Sequence, residues 1–480
     1  MTHPLTIILT PLLLCMFSMI RPQLAGLLSL LACLPTAAYA AWLFHLDSTT
    51  AWVLVDAFGV ILQTDTQTAW LLLTNALVSA AVVLDLRRRN DAAPFLHTLV
   101  ITLHAGINAA FICADLFSLY VALELTTITA GLLIGHPLKS GSVWNAFRYL
   151  FVSNIAMLFY LIGVVLVYES TLSFAIDGVS HSPPVATALL ITGLLVKGGV
   201  FIPGLWLPFA HSEAEAPVSA LLSGVLVKIA IFPLMTIALR SPEAGAILRW
   251  IGVASALFGA CFAIFETDVK RLLAFSTISQ VGVMLAAPMA GAFYAFAHGI
   301  AKSCLFLSAG KLPAREIGVL RTIGVDRRLR AIMTVAVLSL SGAPFLAGYV
   351  AKTALFRHLT HLHAPWMTAG AVGTALILAK LIFLPGPAAS PSKPAPVMPV
   401  LPLLTGMLFF GITPDAVAMK EVGKALFIIL TGWGLYGLIF RRVGIRLSRR
   451  PEDLRHLIGT MVILLWVLMI LQEAASWVLY

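Results

Sequence analysis

Apolar segments long enough to span a membrane recur along almost the whole chain. A transmembrane helix needs about 20 mostly apolar residues, and sixteen stretches approach that length. They are residues 4–20, 22–45, 66–86, 93–113, 115–136, 144–168, 185–204, 217–239, 245–265, 271–288, 291–311, 331–356, 366–385, 396–413, 420–440 and 456–476. Charged residues make up only 11% of the chain, against about 25% in a soluble domain. The sequence therefore predicts an all-α, polytopic membrane protein with about 14–16 transmembrane helices.

The cysteines and the net charge exclude several kinds of chemistry. All five cysteines lie in apolar runs, and none forms a C-x-x-C pair. They are Cys15, Cys33, Cys113, Cys261 and Cys304. A free buried cysteine usually acts as a small hydrophobic residue, so we predict no cofactor and no metal site. The net charge of +10 could indicate nucleic-acid binding, but the distribution of charges between loops explains it better.

Acidic and basic residues alternate between successive loops. Even-numbered loops hold Asp47, Asp56, Asp65, Glu169, Asp177 and Asp415. Odd-numbered loops hold Arg21, Arg87, Arg88, Arg89, Lys139, Lys270, Arg271, Lys311, Arg315, Arg321, Arg327, Arg328, Arg330, Lys393, Arg441, Arg442, Arg446, Arg449 and Arg450. Cytoplasmic loops carry an excess of Lys and Arg. We therefore predict a multi-pass protein of the inner (plasma) membrane with its basic loops in the cytoplasm, both termini outside and no nucleic-acid partner.

Seven ionisable residues lie at positions that the hydrophobicity places within the membrane. They are Glu124, Lys197, Lys228, His298, Lys302, Lys352 and Lys380. A charge at the centre of a transmembrane helix costs roughly 2.5–3.5 kcal/mol. His298 is counted as neutral, and the other six carry a charge. The summed cost of burying six charges, roughly 15–20 kcal/mol, exceeds the typical stability of a folded protein, about 5–15 kcal/mol. These groups must therefore pair, become hydrated or lose their protons, and a proton relay is the functional interpretation.

Four of these residues, and Arg148 beside them, also have a structural interpretation, whereas Glu124, Lys197 and Lys228 lie too centrally in their spans for one. Lys302 and Lys352 could extend their charges to the membrane interface, because a lysine stem reaches several ångströms. Lys380 lies close to a helix end and could do the same. His298 could be a buried histidine of the core. Arg148 lies near the start of its span, where an arginine anchors a helix at the interface.

Two spans are interrupted by glycine and proline beside a lysine. Gly198, Gly199, Pro203 and Gly204 follow Lys197, and Gly342, Pro344 and Gly348 precede Lys352. Helix breaks at membrane depth are tolerated where they line a wet cavity, and interrupted spans in matching positions of two halves indicate a transport site.

The two halves are residues 93–239 and 245–385, with five spans each. Lys197 lies 104 residues into the first half and Lys352 lies 107 into the second, while Lys228 and Lys380 both lie at offset 135. Because an odd number of spans reverses the direction of entry, we predict two inverted repeats. Residues 1–92 supply three earlier helices, and residues 396–480 form the C-terminal helices.

Five motifs resemble the antiporter-like subunits shared by Mrp-type multisubunit Na⁺/H⁺ antiporters and respiratory complex I. They are DLFSLYVALE, VKGGVFIPGLWLPFAHSEAEAPVSALLSGVLVKI, ETDVKRLLAFSTISQVG, AHGIAKSCLFLSAGKL and LSLSGAPFLAGYVAK. The first motif looks most like the D-type subunit of the Mrp antiporters. The resemblance implies fourteen core helices with two inverted five-helix repeats.

The resemblance also implies roles for individual residues. It pairs Glu124 with Lys197, lets Lys228 carry the proton inward, continues the path through His298 and opens it to the far side at Lys352. The sequence departs from the family pattern in two ways. Two helices follow the family core, which we predict to serve docking and not conduction, and the loop HSEAEAP holds Glu213 and Glu215 where the family is less acidic.

These observations predict a proton-translocating subunit of a Mrp-type cation/proton antiporter. Its partners would be other subunits of a membrane complex, protons, Na⁺ or K⁺, and the lipid bilayer. Two alternatives stay open: a membrane-arm proton-pumping subunit of a complex I-like NADH or ferredoxin:quinone oxidoreductase, and the membrane proton-channel partner of an inorganic-carbon uptake system. We predict transport and no catalysis in this chain.

The orientation can be tested by accessibility. A single cysteine placed in the 87–89 loop should react with a membrane-impermeant thiol reagent in inverted vesicles and not in intact cells, because the basic loops face the cytoplasm. Labelling in intact cells would contradict the orientation.

Overall fold

Apolar helices of membrane length account for most of the structure. The computed structural model describes residues 3–46, 48–55, 59–89, 93–386, 396–412, 419–441 and 453–478. Within those residues, 13 helices are long and apolar enough to cross a bilayer. Two shorter apolar helices, Thr6–Ile20 and Met398–Phe409, match two further predicted spans. The remaining predicted span, 331–356, is divided between two shorter helices, so the prediction of a polytopic helical membrane protein is confirmed.

The α-helices of the described residues are numbered in chain order. They are α1 (Thr6–Ile20), α2 (Ala25–Leu46), α3 (Thr66–Arg87), α4 (Pro94–Ile112), α5 (Leu116–Gly135), α6 (Ser140–Thr171), α7 (Pro184–Lys197), α8 (Trp206–Glu213), α9 (Ala216–Leu221), α10 (Lys228–Arg240), α11 (Pro242–Phe265), α12 (Val269–Ala286), α13 (Gly291–Ala309), α14 (Ile317–Ile323), α15 (Arg327–Ser341), α16 (Ala347–Arg357), α17 (Ala364–Ile382), α18 (Leu401–Phe409), α19 (Met419–Leu435) and α20 (Leu454–Val478).

A small β-hairpin between α2 and α3 was not predicted from the sequence. Its strands are β1 (Thr50–Val53) and β2 (Ile61–Thr64), antiparallel with Thr50 opposite Thr64. The buried carboxylate of Asp115 accepts hydrogen bonds from the backbone N–H groups of Ile61 (3.0 Å) and Ser118 (2.6 Å). One side chain therefore caps the start of α5 and ties the hairpin to it.

The two predicted helix breaks are present and share a backbone geometry. After α7, Gly199 has φ +69° and Phe201 has φ +55°; after α15, Gly342 has φ +86° and Phe345 has φ +66°. Positive φ is accessible to glycine but uncommon for a bulky residue such as phenylalanine. In each half, three unbroken long helices precede the broken one. They are α4–α6 in the first half and α11–α13 in the second. This common order favours the predicted repeats, whose boundaries stay a prediction.

A third interruption lies next to Lys228. Residues Leu222–Leu226 form a π-helical turn between α9 and α10, so the predicted span 217–239 is also irregular. Single π turns inside helices occur frequently at functional sites.

The centre of the bundle is formed by α12 and α13. Every residue of α12 is buried, and so is every residue of α13 except Phe293. In outer helices such as α6, less than half of the residues in the most apolar stretch are buried. Polar residues on α12 and α13 are therefore enclosed by protein on all sides.

Ion pairs place the predicted basic loops on one face of the bundle. The loops after α3, α8, α11 and α13 are joined by Arg89–Glu215 (2.7 Å), Lys311–Asp85 (3.0 Å) and Arg315–Asp268 (3.1 Å). Asp177 pairs with Arg240 between two of the predicted even-numbered loops. Four of the predicted odd-numbered loops thus lie near one another, and so do two of the even-numbered loops. The separation of all loops into two faces, and which face is cytoplasmic, stay predictions. Asp47, Asp56, Lys393, Asp415, Arg442, Arg446, Arg449 and Arg450 lie outside the described residues.

The two C-terminal helices pack against their own chain. Helix α19 lies against α17, and α20 lies against α7 and the turn that follows it. They thus cover the second half and the first half, respectively. The predicted docking of a partner subunit on these helices stays a prediction.

Candidate functional site

Glu124 and Lys197 lie close to each other at the first helix break. Glu124 is partly buried on α5, and Lys197 is the last residue of α7, with only 3% of its surface exposed. The two charges interact electrostatically, but no ion pair within 4.0 Å joins them in the described part of the chain. The predicted pair is therefore brought together without direct contact.

A threonine hydroxyl near Glu124 accepts a hydrogen bond from Lys197. The Lys197 ammonium donates to the hydroxyl of Thr127, which lies one turn beyond Glu124 on α5. That hydroxyl donates in turn to the carbonyl of Leu123 at 2.7 Å. Lys197 also lies 5.7 Å from the centre of the Tyr149 ring. The Thr127 hydroxyl and the Tyr149 ring thus partly compensate the charge of Lys197.

Lys228 is the first residue of α10, directly after the π turn. It is 1% exposed, and its ammonium donates to the backbone carbonyl of Ser223 within that turn. Desolvation of an ammonium group is costly unless acceptors replace water. The irregular turn therefore supplies an acceptor to a lysine in the middle of the membrane.

A polar cluster on α12 lies between Ser223 and Lys302. The Ser223 hydroxyl lies 2.7 Å from that of Thr277, and Thr277 donates to the carbonyl of Leu273 at 3.0 Å. The Lys302 ammonium donates to the same carbonyl at 2.8 Å and to the hydroxyl of Ser276. Lys302 thus binds the cluster directly, whereas Lys228 adjoins it only through Ser223, whose carbonyl and hydroxyl make separate hydrogen bonds.

His298 is a third buried ionisable residue of this region. It precedes Lys302 by one turn on α13, is 1% exposed, and interacts electrostatically with Lys228 and Lys302. Neither ring nitrogen has a hydrogen-bond partner among the described residues. Helix α13 approaches the π turn so closely at Gly299 that a Cβ atom there would lie 2.6 Å from the carbonyl oxygen of Gly224.

The sequence analysis did not select His211, which is also buried. His211 on α8 is fully buried, stacks on Phe306 at 4.4 Å, and has no hydrogen-bond partner for either ring nitrogen in the described residues. It lies within electrostatic range of Lys270 and Lys302. Its position at the end of an apolar run, as the first residue of the acidic segment HSEAEAP, was the available signal.

Lys352 lies beyond the second break, on α16. Its buried Nζ atom has no hydrogen-bond partner among the described residues, and it lines a cavity of about 390 Å³. Helix α16 contacts α13, α13 contacts α10, and α10 contacts α7. Lys197, Lys228, Lys302 and Lys352 therefore follow one another along successive contacting helices.

Lys380 has a different environment from the other lysines. Its ammonium donates to the backbone carbonyls of Ala263 (3.3 Å), Ile264 and Glu266 (2.9 Å). These carbonyls lie at the end of α11, where a helix leaves acceptors unsatisfied and favours a cation. The predicted relay role of Lys380 stays a prediction, and its contacts favour a role as the cap of α11.

The fold and the buried ionisable groups define a polytopic membrane protein with charges at membrane depth, which mark ion pathways. The family model described as "NADH:quinone oxidoreductase/Mrp antiporter, TM" matches residues 113–377, more than half of the chain. The chain belongs to this family.

Relatives of both kinds named in that description are similar to the chain. NADH-quinone oxidoreductase subunit N of Desulforudis audaxviator (strain MP104C) is 28% identical over 73% of this chain and 80% of the relative. The D-type subunit of the Na⁺/H⁺ antiporter of Alkalihalophilus pseudofirmus is 27% identical over 62% of this chain and 66% of the relative.

Solved structures share the fold. A chain of the membrane-bound sulfane sulfur reductase, an archaeal respiratory membrane complex, matches with a TM-score of 0.77 and 20% identity over 90% of this chain and 98% of that one. A chain of the Mrp complex from Dietzia sp. DQ12-45-1b matches with a TM-score of 0.72 and 22% identity over 96% of this chain and 100% of that one. The predicted resemblance is confirmed.

Two substitutions separate the capping role of Lys380 from a relay role. Lys380→Arg keeps a cation and several N–H donors for α11, but guanidinium does not release its proton in proteins. We expect Lys380→Arg to assemble and to carry protons at close to the wild-type rate. Lys380→Met should lower the yield of assembled protein, because unpartnered buried carbonyls cost about 1–3 kcal/mol each.

The measurements are size-exclusion chromatography for assembly and proton flux in vesicles. An assembled Lys380→Arg protein without proton flux would contradict the capping role and support the relay prediction.

Proposed function

We propose that this chain is the proton-translocating subunit of a Mrp-type complex that exchanges Na⁺ or K⁺ for protons. The observation that carries the proposal is the polar cluster on α12, which binds Lys302 directly and lies beside Lys228 through Ser223, whose carbonyl accepts from Lys228 and whose hydroxyl bonds Thr277. Buried lysines in a membrane are costly, and pairs of them in one cluster have little structural benefit. A role in proton transfer explains why the chain has buried lysines despite their cost.

The first step is loading of Lys197. With the amine neutral, Glu124 can hold a proton near the first break; with the proton on Lys197, the carboxylate is left as its counter-charge. Thr127 holds the Lys197 nitrogen one turn from Glu124.

The second step is transfer between Lys228 and Lys302. A proton on Lys228 places a positive charge near Lys302, and two ammonium groups in a medium of low dielectric constant repel each other strongly. Arrival of one proton therefore favours release of the other. His298 lies within electrostatic range of both lysines, has no hydrogen-bond partner on either ring nitrogen among the described residues, and is the proposed acceptor of the released proton.

The third step leads to Lys352 through the contact of α13 with α16. The cavity beside Lys352 then opens the path at the end of the second half. Glu124, Lys197, Lys228, His298, Lys302 and Lys352 thus form the proposed relay.

The Mrp assignment is supported by the resemblance of DLFSLYVALE to the D-type subunit and by two D-type subunits of Na⁺/H⁺ antiporters, each 27% identical over 62% of this chain. A redox-driven pump is the second candidate, because the NADH-quinone oxidoreductase relative aligns over 80% of its own length.

Purification with native partners separates these two candidates. For the Mrp-type complex, we expect added Na⁺ or K⁺ to dissipate a preformed proton gradient in inverted vesicles. Iron–sulfur subunits in the purified complex, together with a gradient insensitive to either cation, would contradict that assignment and favour the redox pump.

The relay itself is tested at its first pair. We expect Glu124→Ala or Lys197→Ala to abolish proton flux while the complex still assembles, because each removes a proton-carrying group at a position without a substitute. Lys139→Ala is the matched control, since the same exchange at an exposed loop position should leave flux unchanged. Wild-type flux in either Glu124→Ala or Lys197→Ala would contradict the proposed relay.

A further inference from the structure

Helix α19 lies outside the part of the chain that the family model matches, yet it borders the relay. The family match ends at residue 377, and α19 begins at Met419. The helix packs against α17 and supplies Glu421, Lys424, Ala425 and other residues to the wall of the cavity that contains Lys352.

The inner end of this cavity is lined by buried polar atoms. The Lys352 Nζ, the Tyr349 hydroxyl and the Ser341 hydroxyl have no hydrogen-bond partner among the described residues, and all three residues line the cavity. A buried polar group without a partner costs about 1–3 kcal/mol. A cavity of about 390 Å³ has room for several water molecules that would satisfy these groups.

The second break positions Lys352 in this cavity. A Cβ atom on Gly342 would lie 2.9 Å from the Cδ atom of Lys352, so the lysine stem passes directly over the glycine. Gly342 has φ +86°, a conformation that favours glycine. The break therefore makes the space through which the lysine reaches the cavity.

The outer end of the cavity carries a carboxylate. Among the described residues that line it, the titratable groups are Tyr349, Lys352, Glu421 and Lys424, and Glu421 is the one carboxylate. Glu421 lies in the first turn of α19, and its Oε1 atom is 3.0 Å from the Lys424 ammonium. The Glu421 side chain is 28% exposed and that of Lys424 is 59% exposed, so the carboxylate lies between the cavity and the surface.

We infer that Glu421 exchanges protons with Lys352 through the water in this cavity, and that α19 thereby completes the outer end of the relay. The inference rests on the proposed proton transport. In the transfer, an N–H bond of the Lys352 ammonium breaks, its electron pair stays on nitrogen, and an O–H bond forms on the Glu421 carboxylate. Glu421 then releases the proton to the medium, which restores the carboxylate beside the Lys424 ammonium.

The test uses the complete complex in vesicles. Glu421→Gln keeps the shape of the side chain but cannot take a proton, and we expect it to lower proton flux roughly tenfold or more. Glu421→Asp should retain most of the flux. Lys420→Gln is the matched control: it removes a charge from an exposed position in the first turn of α19 that does not line the cavity, so its flux should stay within about twofold of wild type.

Chemical rescue separates proton transfer from a structural role. In Glu421→Ala, added formate should restore a large part of the flux, because a small carboxylate can enter the cavity and exchange protons. A loss of flux that neither formate nor Glu421→Asp restores would overturn the inference in favour of a structural role.

Lys197→Ala in the same vesicles distinguishes a failure of the inference about Glu421 from a failure of the proposed function. Wild-type flux in Glu421→Gln together with no flux in Lys197→Ala would overturn the inference and leave the proposed function intact. Wild-type flux in Lys197→Ala would overturn the proposed function, and the inference with it.

Discussion

The cost of placing an ammonium group at membrane depth governs the architecture of this protein. Most carbonyls of a helix are already bonded within it, so a buried lysine needs irregular backbone, a hydroxyl or a shared carbonyl as its acceptor. Lys228 uses a carbonyl of the π turn, Lys302 shares a carbonyl of α12 and binds a hydroxyl of the same helix, and Lys197 uses the hydroxyl of Thr127. The π turn thus supplies the acceptor of the lysine beside it.

The same constraint explains why the lysines are suited to transport. Each acceptor set is small and uncharged, so it stabilises the ammonium without fixing the proton as a tight carboxylate pair would. Glu124 lies near Lys197 without a direct contact, and His298 keeps its ring nitrogens unbonded among the described residues. The central helix α12 is buried along its whole length, which keeps competing water away from the cluster and preserves the coupling between neighbouring charges.

Local patterns in the sequence allowed part of this organisation to be predicted. The sixteen spans follow from hydrophobicity, and the breaks near Lys197 and Lys352 follow from glycine and proline. The π turn carries no such mark, because LSGVL resembles its helical surroundings. The carbonyls that bind Lys380 are more than 110 residues away in sequence, and the cavity at Lys352 combines α16 with α19. Contacts of that range depend on tertiary packing, which spacing along one chain does not encode.

The central claim is that the buried lysines carry protons, and Lys302 offers its most direct test. The measurement is proton flux in vesicles that contain the assembled complex with Lys302→Met or Lys302→His. Methionine fills a similar volume without a titratable group, whereas histidine can still bind and release a proton. The account predicts at least a roughly tenfold loss of flux with methionine and a partial recovery with histidine. Wild-type flux in the methionine variant would contradict it.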